Sequence, residues 1–230
     1  MSMDFPFDLI SAEEYERQRA MHGPLTQAIR ELIDAGIRTD VDAAGVQEAL
    51  TAIESVTSRL RCAQRNATST LRHERTGRPL AWANPAVGLR NAIAPPMDIH
   101  HEDGGRCWAE FDLGLAYEGP PGLVHGGICA LVLDHILGEA ASDGLTKPLF
   151  TGTITLRYLR GTPLGPLRAE AFIERTEGIK TYARGYLGDS DGWSVEADGV
   201  FIKPAWARDV GAGGPPACGG ERSDPGICTG

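Results

Sequence analysis

The run from Val124 to Ser142 constrains this chain more than any other stretch. It holds Ile128, Ala130, Leu131, Leu133, Ile136, Leu137, Ala140 and Ala141, so apolar residues fall on nearly every face of the helix it predicts. A helix of that kind must be covered on most of its sides. A bilayer is not the cover, because charged residues interrupt every apolar run well before the roughly 18 residues a membrane span needs. The cover must come from the chain itself, and the flanking sequence supplies it. Cys107–Leu113 alternates as a strand. After the helix come four more strand-like runs, 151–160, 167–175, 181–188 and 193–202, separated by Gly161-Thr162-Pro163, Glu177-Gly178 and Asp189–Gly192. Those separators carry turn chemistry. In the first run Ile154, Leu156 and Tyr158 should face one way and Thr153, Thr155 and Arg157 the other. Helix and strands do not alternate, so the fold class is α+β, with an antiparallel sheet wrapped round a long central helix.

The rest of the chain frames this unit. Residues 1–70 read as an N-terminal helical extension. Leu25, Ile29, Leu32 and Ile33 predict a helix over Pro24–Gly36, with Gly36 as its stop. Asp42 is placed to cap a second helix whose Val46, Leu50, Ile53, Val56 and Leu60 form one stripe, which predicts one buried face, against the domain itself, a twin or a partner. Residues 71–208 hold an extended, proline-broken connection and then the wrapped helix, with a core at about 91–204. Residues 209–230 are a tail, half Gly and Pro from Gly211 on, too poor in apolar surface to order itself. The segment 1–20 carries Asp4, Asp8, Glu13, Glu14 and Glu16, unlike a secretory leader. The five cysteines are odd in number and include no C-x-x-C pair, which disfavours a disulfide framework or a zinc site. A cytoplasmic location is the default expectation. The net charge of −9 speaks against nucleic-acid binding.

Two features of the helix carry chemistry. His125-Gly126-Gly127 opens it, where free N–H groups and the positive end of the helix dipole can hold an anion or a developing oxyanion. Asp134 lies midway along it, and a carboxylate among apolar neighbours must be paired or functional. His135 points about 100° away from Asp134 and is read as structural. Gly126 and Asp134 are eight residues apart, roughly 12 Å along a helix. One carbonyl cannot be in reach of both, so if both act on one substrate they come from two copies of the chain. His100-His101-Glu102-Asp103 looks like a ligand cluster, but adjacent side chains seldom converge on one metal, and no metal is expected.

The stretch from Asn91 to Pro204 resembles the PaaI-like branch of the hotdog-fold acyl-CoA thioesterases. The resemblance rests on Asn91-Ala-Ile-Ala-Pro-Pro, Gly119-Pro-Pro-Gly-Leu-Val-His125-Gly126-Gly127, Asp134, Gly138 and Thr151-Gly-Thr-Ile-Thr-Leu-Arg-Tyr158. It looks closest to the mitochondrial long-chain members that share Gly-Pro-Pro-Gly before His-Gly-Gly, and it covers about half the chain. It implies an acyl-CoA substrate, no cofactor, and a homodimer or dimer of dimers with interfacial sites. Gly126 would polarise the thioester carbonyl through its N–H, with His125 orienting the loop or helping the oxyanion site. Asp134 would be nucleophile or general base, and Thr151 would hydrogen-bond the water or the carboxylate. Many members carry Asn six residues before the His, whereas this chain has Gly119. Gly127, Arg157, Arg160 and Lys180 are candidates for substrate binding, the cations for the coenzyme's phosphates, with Arg184 also available. A non-catalytic acyl-CoA or lipid-binding module and an enoyl-thioester hydratase are the alternative readings. No Walker-A or G-x-G-x-x-G motif is present.

Overall fold

The computed structural model describes residues 7–64 and 70–208. In chain order its elements are β1 (Phe7–Ile10), α1 (Ala12–Arg38), α2 (Ala43–Arg61), β2 (Thr70–His73), β3 (Pro79–Leu80), β4 (His100–Glu102), β5 (Arg106–Leu113), α3 (Gly126–Ala141), β6 (Phe150–Tyr158), β7 (Gly165–Glu177), β8 (Lys180–Asp189) and β9 (Gly192–Ile202). The predicted tail, 209–230, lies outside the described residues.

The central helix and its wrap follow the pattern read from the sequence. The six-stranded antiparallel sheet runs β4-β5-β7-β8-β9-β6. Its inner face alternates between the register shifts: Cys107, Ala109, Phe111 and Leu113 on β5, Leu167, Ala169 and Ala171 on β7, Ala183 and Leu187 on β8, and Val195, Ala197 and Phe201 on β9 are all buried. Many of these are alanine. Small residues on the sheet leave room for the large residues of α3, and Val132, Leu133, Ile136 and Leu137 are wholly buried there. Full burial of four such side chains stabilises by roughly 1.5–3 kcal/mol each relative to exposure. Register shifts in β6, β7 and β9 add the local twist that curves a sheet round a helix.

β6 ends the sheet with a free edge, and most of its nine residues are exposed on both faces. Ile154 and Leu156 pack partly against the core, as the alternation predicted. Tyr158 does not join them and is 53% exposed.

The N-terminal region differs more from its sequence reading. α1 begins twelve residues earlier than Pro24 and runs through both Pro24 and Gly36. Its true start is a capping signal, in which Ser11 Oγ accepts the Glu14 N–H at 3.1 Å. Asp42 does cap α2, accepting from Gly45 N at 2.9 Å. However, α2 has no buried residue, and Val46, Leu50, Ile53, Val56 and Leu60 are each 41–55% exposed, so the predicted buried face is not covered within one chain. The expected extended connection contains β2 and β3, which join β1 in a small sheet. From Trp82 to Asp98 the chain is irregular, and it lies beneath α1, with Arg30 donating to the Ala94 carbonyl at 3.3 Å.

Candidate functional site

α3 begins with His125 as its N-cap. Nδ1 of His125 accepts the N–H of Gly127 at 3.0 Å, satisfying one of the first four N–H groups, which have no partner inside the helix. A neutral imidazole whose Nδ1 accepts must carry its proton on Nε2, so the cap fixes the tautomer and presents an Nε2–H donor. His125 and Gly127 are exposed and Gly126 is half-buried, so the whole turn can meet a ligand.

The loop before it explains why Gly stands at 119. A Cβ there would sit 2.8 Å from His125 Cα, a backbone atom that cannot step aside. The N–H of Gly119 bonds the Leu123 carbonyl at 2.9 Å, and the N–H of His125 bonds the Tyr117 carbonyl at 2.9 Å. At the position where the resemblance leads to expecting an asparagine donor, this loop closes tightly on its own backbone.

Asp134 is two turns further on. It is half-buried rather than enclosed, because it lies on the side of α3 that the edge strand covers only in part. Thr151, the second residue of β6, donates from Oγ1 to Asp134 Oδ1 at 3.0 Å. The hydroxyl fixes one carboxylate oxygen and leaves the other open. β6 then runs back towards the start of α3, where the hydroxyl of Tyr158 donates to the Gly126 carbonyl at 2.8 Å. One edge strand therefore touches both chemical positions of the helix. Along α3 those positions remain about 12 Å apart, as the spacing required.

His135 turns away from Asp134. Its Nε2 lies 3.4 Å from Glu139 Oε1, a long electrostatic contact rather than a good hydrogen bond. Glu139 is the centre of a buried cluster that sequence reasoning missed. Its Oε2 meets Arg78 Nη2 at 2.8 Å and His101 Nε2 at 3.2 Å. Burial alone would raise the Glu139 carboxyl. The polar contacts of His101 and His135 and the charge of Arg78 outweigh it and hold the group down at about 2. Arg78 Nη2 also donates to His101 Nε2 at 2.8 Å, so His101 is engaged by both members of the Arg78–Glu139 pair, and among the described residues no group of side chains is arranged to hold a metal. The one hint in the sequence was a glutamate four residues after a histidine in a largely apolar helix.

The candidate cations separate by environment. Arg157 is ion-paired with Glu196. Arg160 grips Asp189 through two bonds of 2.5 and 3.1 Å and the Gly192 carbonyl at 2.5 Å. Arg184 pairs with Asp198 at 2.9 Å and Glu174 at 3.3 Å. Lys180 is exposed and has no ion pair with a described residue. It sits opposite Ile202, which in turn sits opposite Phe150. That places it two strands from the start of β6, roughly 10 Å away.

Comparison with known proteins agrees with this geometry. A family model described as the Thioesterase superfamily matches residues 121–185, from the loop before His125 into β8. The acyl-coenzyme A thioesterase THEM4 of Xenopus laevis is 32% identical over 96 residues, covering 40% of this chain and 43% of that protein, so the match spans less than half of the relative's length. The crystal structure of protein RHA08564, a thioesterase superfamily protein, aligns over 78% of this chain and 94% of its own with 31% identity and a TM-score of 0.70. The E. coli PaaI protein from the phenylacetic acid degradation operon aligns over 47% of this chain and 79% of its own, with 15% identity and a TM-score of 0.44. A hotdog sheet wrapped round α3, the family model over residues 121–185 and the 31% identity to the RHA08564 protein over 94% of its length place the chain in the thioesterase superfamily, to which it belongs.

Proposed function

We propose that the chain is an acyl-CoA thioesterase whose working unit is a dimer, hydrolysing an acyl-CoA to a carboxylic acid and free coenzyme A. The observation that carries this reading is the Thr151–Asp134 hydrogen bond of 3.0 Å beside the capped His125-Gly126-Gly127 turn. A thioester has a good leaving group, so the protein need supply only a carboxylate and an oxyanion site. Asp134 either attacks the carbonyl carbon or takes a proton from a water that does. The carbonyl oxygen gains charge against the Gly126 N–H and the His125 Nε2–H of the second copy. The C–S bond then breaks and coenzyme A leaves as thiolate; where Asp134 is the nucleophile, a water then hydrolyses the acyl–aspartyl anhydride, releasing the carboxylic acid and freeing Asp134. Thr151 holds the carboxylate in line throughout.

Two facts support the dimer. Gly126 and Asp134 of one chain are too far apart to share a carbonyl. The free edge of β6 also offers a row of unpaired backbone groups beside exposed Phe150 and Tyr158, a template for pairing with a second copy. Of the cations, Lys180 is the one offered to the phosphates of the coenzyme. Arg157 and Arg160 would have to exchange a carboxylate partner for phosphate.

The test is release of thiol from a panel of short, long and aromatic acyl-CoAs, by wild type and Asp134→Asn. Loss of turnover on at least one substrate in the variant is the expected result. Full turnover in Asp134→Asn would remove the mechanism. Saturable binding of acyl-CoA by wild type with no thiol released would replace the enzyme with a binding module.

A further inference from the structure

We propose that Tyr158 is a positioning residue for the oxyanion-binding turn, holding the Gly126–Gly127 peptide so that His125 presents its Nε2–H. The inference rests on the thioesterase reading for its catalytic consequence and on geometry for its structural one.

The Gly126–Gly127 peptide is held at both of its polar ends. Its carbonyl oxygen accepts the Tyr158 hydroxyl at 2.8 Å. Its N–H, carried by Gly127, donates to His125 Nδ1 at 3.0 Å. A peptide unit is planar, so fixing the carbonyl direction fixes the N–H direction and with it the position of the imidazole. The bonds form one chain in a single sense, from phenol to carbonyl, through the amide to Nδ1, and out through Nε2–H. Hydrogen bonds in such a chain polarise one another in the same direction. Bonding at the carbonyl strengthens the amide as a donor to His125, and that favours the tautomer with the outward-facing proton.

The ring contributes as well. A Cβ built on Gly126 would lie 3.4–3.5 Å from the Tyr158 hydroxyl and ring edge, so the phenol lies against the glycine on the side where a side chain would otherwise stand. Burial pushes the Tyr158 phenol up, which keeps it a donor at neutral pH. Two adjacent glycines at a helix start would otherwise be the most mobile part of the site, since glycine gives up the most backbone freedom on ordering. β6 also holds Asp134 through Thr151, so the edge strand sets both halves of the chemistry within each chain.

The test is Tyr158→Phe, which keeps the ring and removes the hydroxyl. Because the side chain is about half exposed, with 53% of its surface free, the variant should fold and melt as wild type does. On the best acyl-CoA of the thiol-release panel, kcat should fall roughly tenfold, the scale of one hydrogen bond in a positioned network, with KM changed less than about twofold. In parallel, 15N NMR of His125 in the ligand-free protein at high pH reports the tautomer. Wild type should be almost wholly the Nε2–H form, and Tyr158→Phe should show a mixture. Wild-type kcat in an active, folded variant would overturn the proposal, as would an unchanged His125 tautomer. If wild type releases no thiol from any substrate, the thioesterase reading fails by itself, and the NMR result alone decides whether the clamp exists.

Discussion

Replacing Glu139 with glutamine tests the buried cluster most directly. The substitution keeps the shape of the side chain and removes its charge. Glu139 has 5% of its side chain exposed, so solvent screens the interaction little. Its carboxyl is held at about 2, against 4.5 for the free group. A displacement of that size corresponds to about 3 kcal/mol in favour of the charged form, and glutamine stands in for the neutral one. Glu139→Gln should therefore lose about 3 kcal/mol of stability at pH 7, in the range found when one partner of a buried pair is removed. The sign of the pH dependence follows from a depressed carboxylate. The contribution is fully present above 4.5 and disappears as pH falls through 4.5 towards 2. Guanidinium unfolding of both proteins at equal concentration, at pH 7, 5, 4 and 3, should show the gap constant from 7 to 5 and closing below. A gap under about 1 kcal/mol at pH 7, or one that stays constant down to pH 3, would refute the assignment of the cluster as a stabilising ion network.

The other predictions concern the site and the thiols. Lys180→Ala should raise KM for acyl-CoA several-fold and steepen no salt dependence, with kcat kept, whereas Arg160→Ala should lower the melting temperature instead, because it strands Asp189. Initial-rate kinetics and thermal melts separate the two. Gly119→Asn should not restore a donor. Its Cβ would collide with the His125 backbone, so both kcat and thermal stability should drop, and a faster enzyme would show that the loop opens more easily than its hydrogen bonds suggest. Burial pushes the Cys107 thiol up to about 12, which leaves roughly one thiolate in ten thousand at pH 8. Peptide mapping after mild alkylation should find exposed Cys62 modified and Cys107 untouched.

The parts of the molecule legible in the sequence were those whose physics is local. The all-round apolarity of Ile128–Ala141 demanded a wrap, and period-two strands with turn residues between them supplied it. Asp134 stood out as a charge in that run, and its distance from Gly126 followed from helix rise alone. What the sequence hid depended on contacts between distant positions. Glu139 is on α3, His101 on β4 and Arg78 in the loop between β2 and β3, 61 residues from Glu139 along the chain. Tyr158 looked like a core residue by alternation, yet the edge position of β6 turned it to the start of α3. The start of α1 was visible as Ser11-x-x-Glu14, but Pro24 and Gly36 suggested a shorter helix, because breaker signals are weak against the tertiary contacts of a long helix. The stripe on α2 announced a buried face without saying against what.

The placement of charge on α3 links these two classes. Asp134 and Glu139 are five residues apart, about 140° round the helix and 7.5 Å along it. Glu139 faces Arg78 of the N-terminal region and His101 of β4, while Asp134 faces Thr151 at the free sheet edge. Between those two sides Val132, Leu133, Ile136 and Leu137 interlock with the alanines and with larger sheet residues such as Leu187 and Phe201. Asp134 and Glu139 add polar contacts on two different sides of the same axis. Through Arg78, between β2 and β3, and His101 of β4, the ion cluster ties the back of α3 to segments that precede the wrapped helix in the chain.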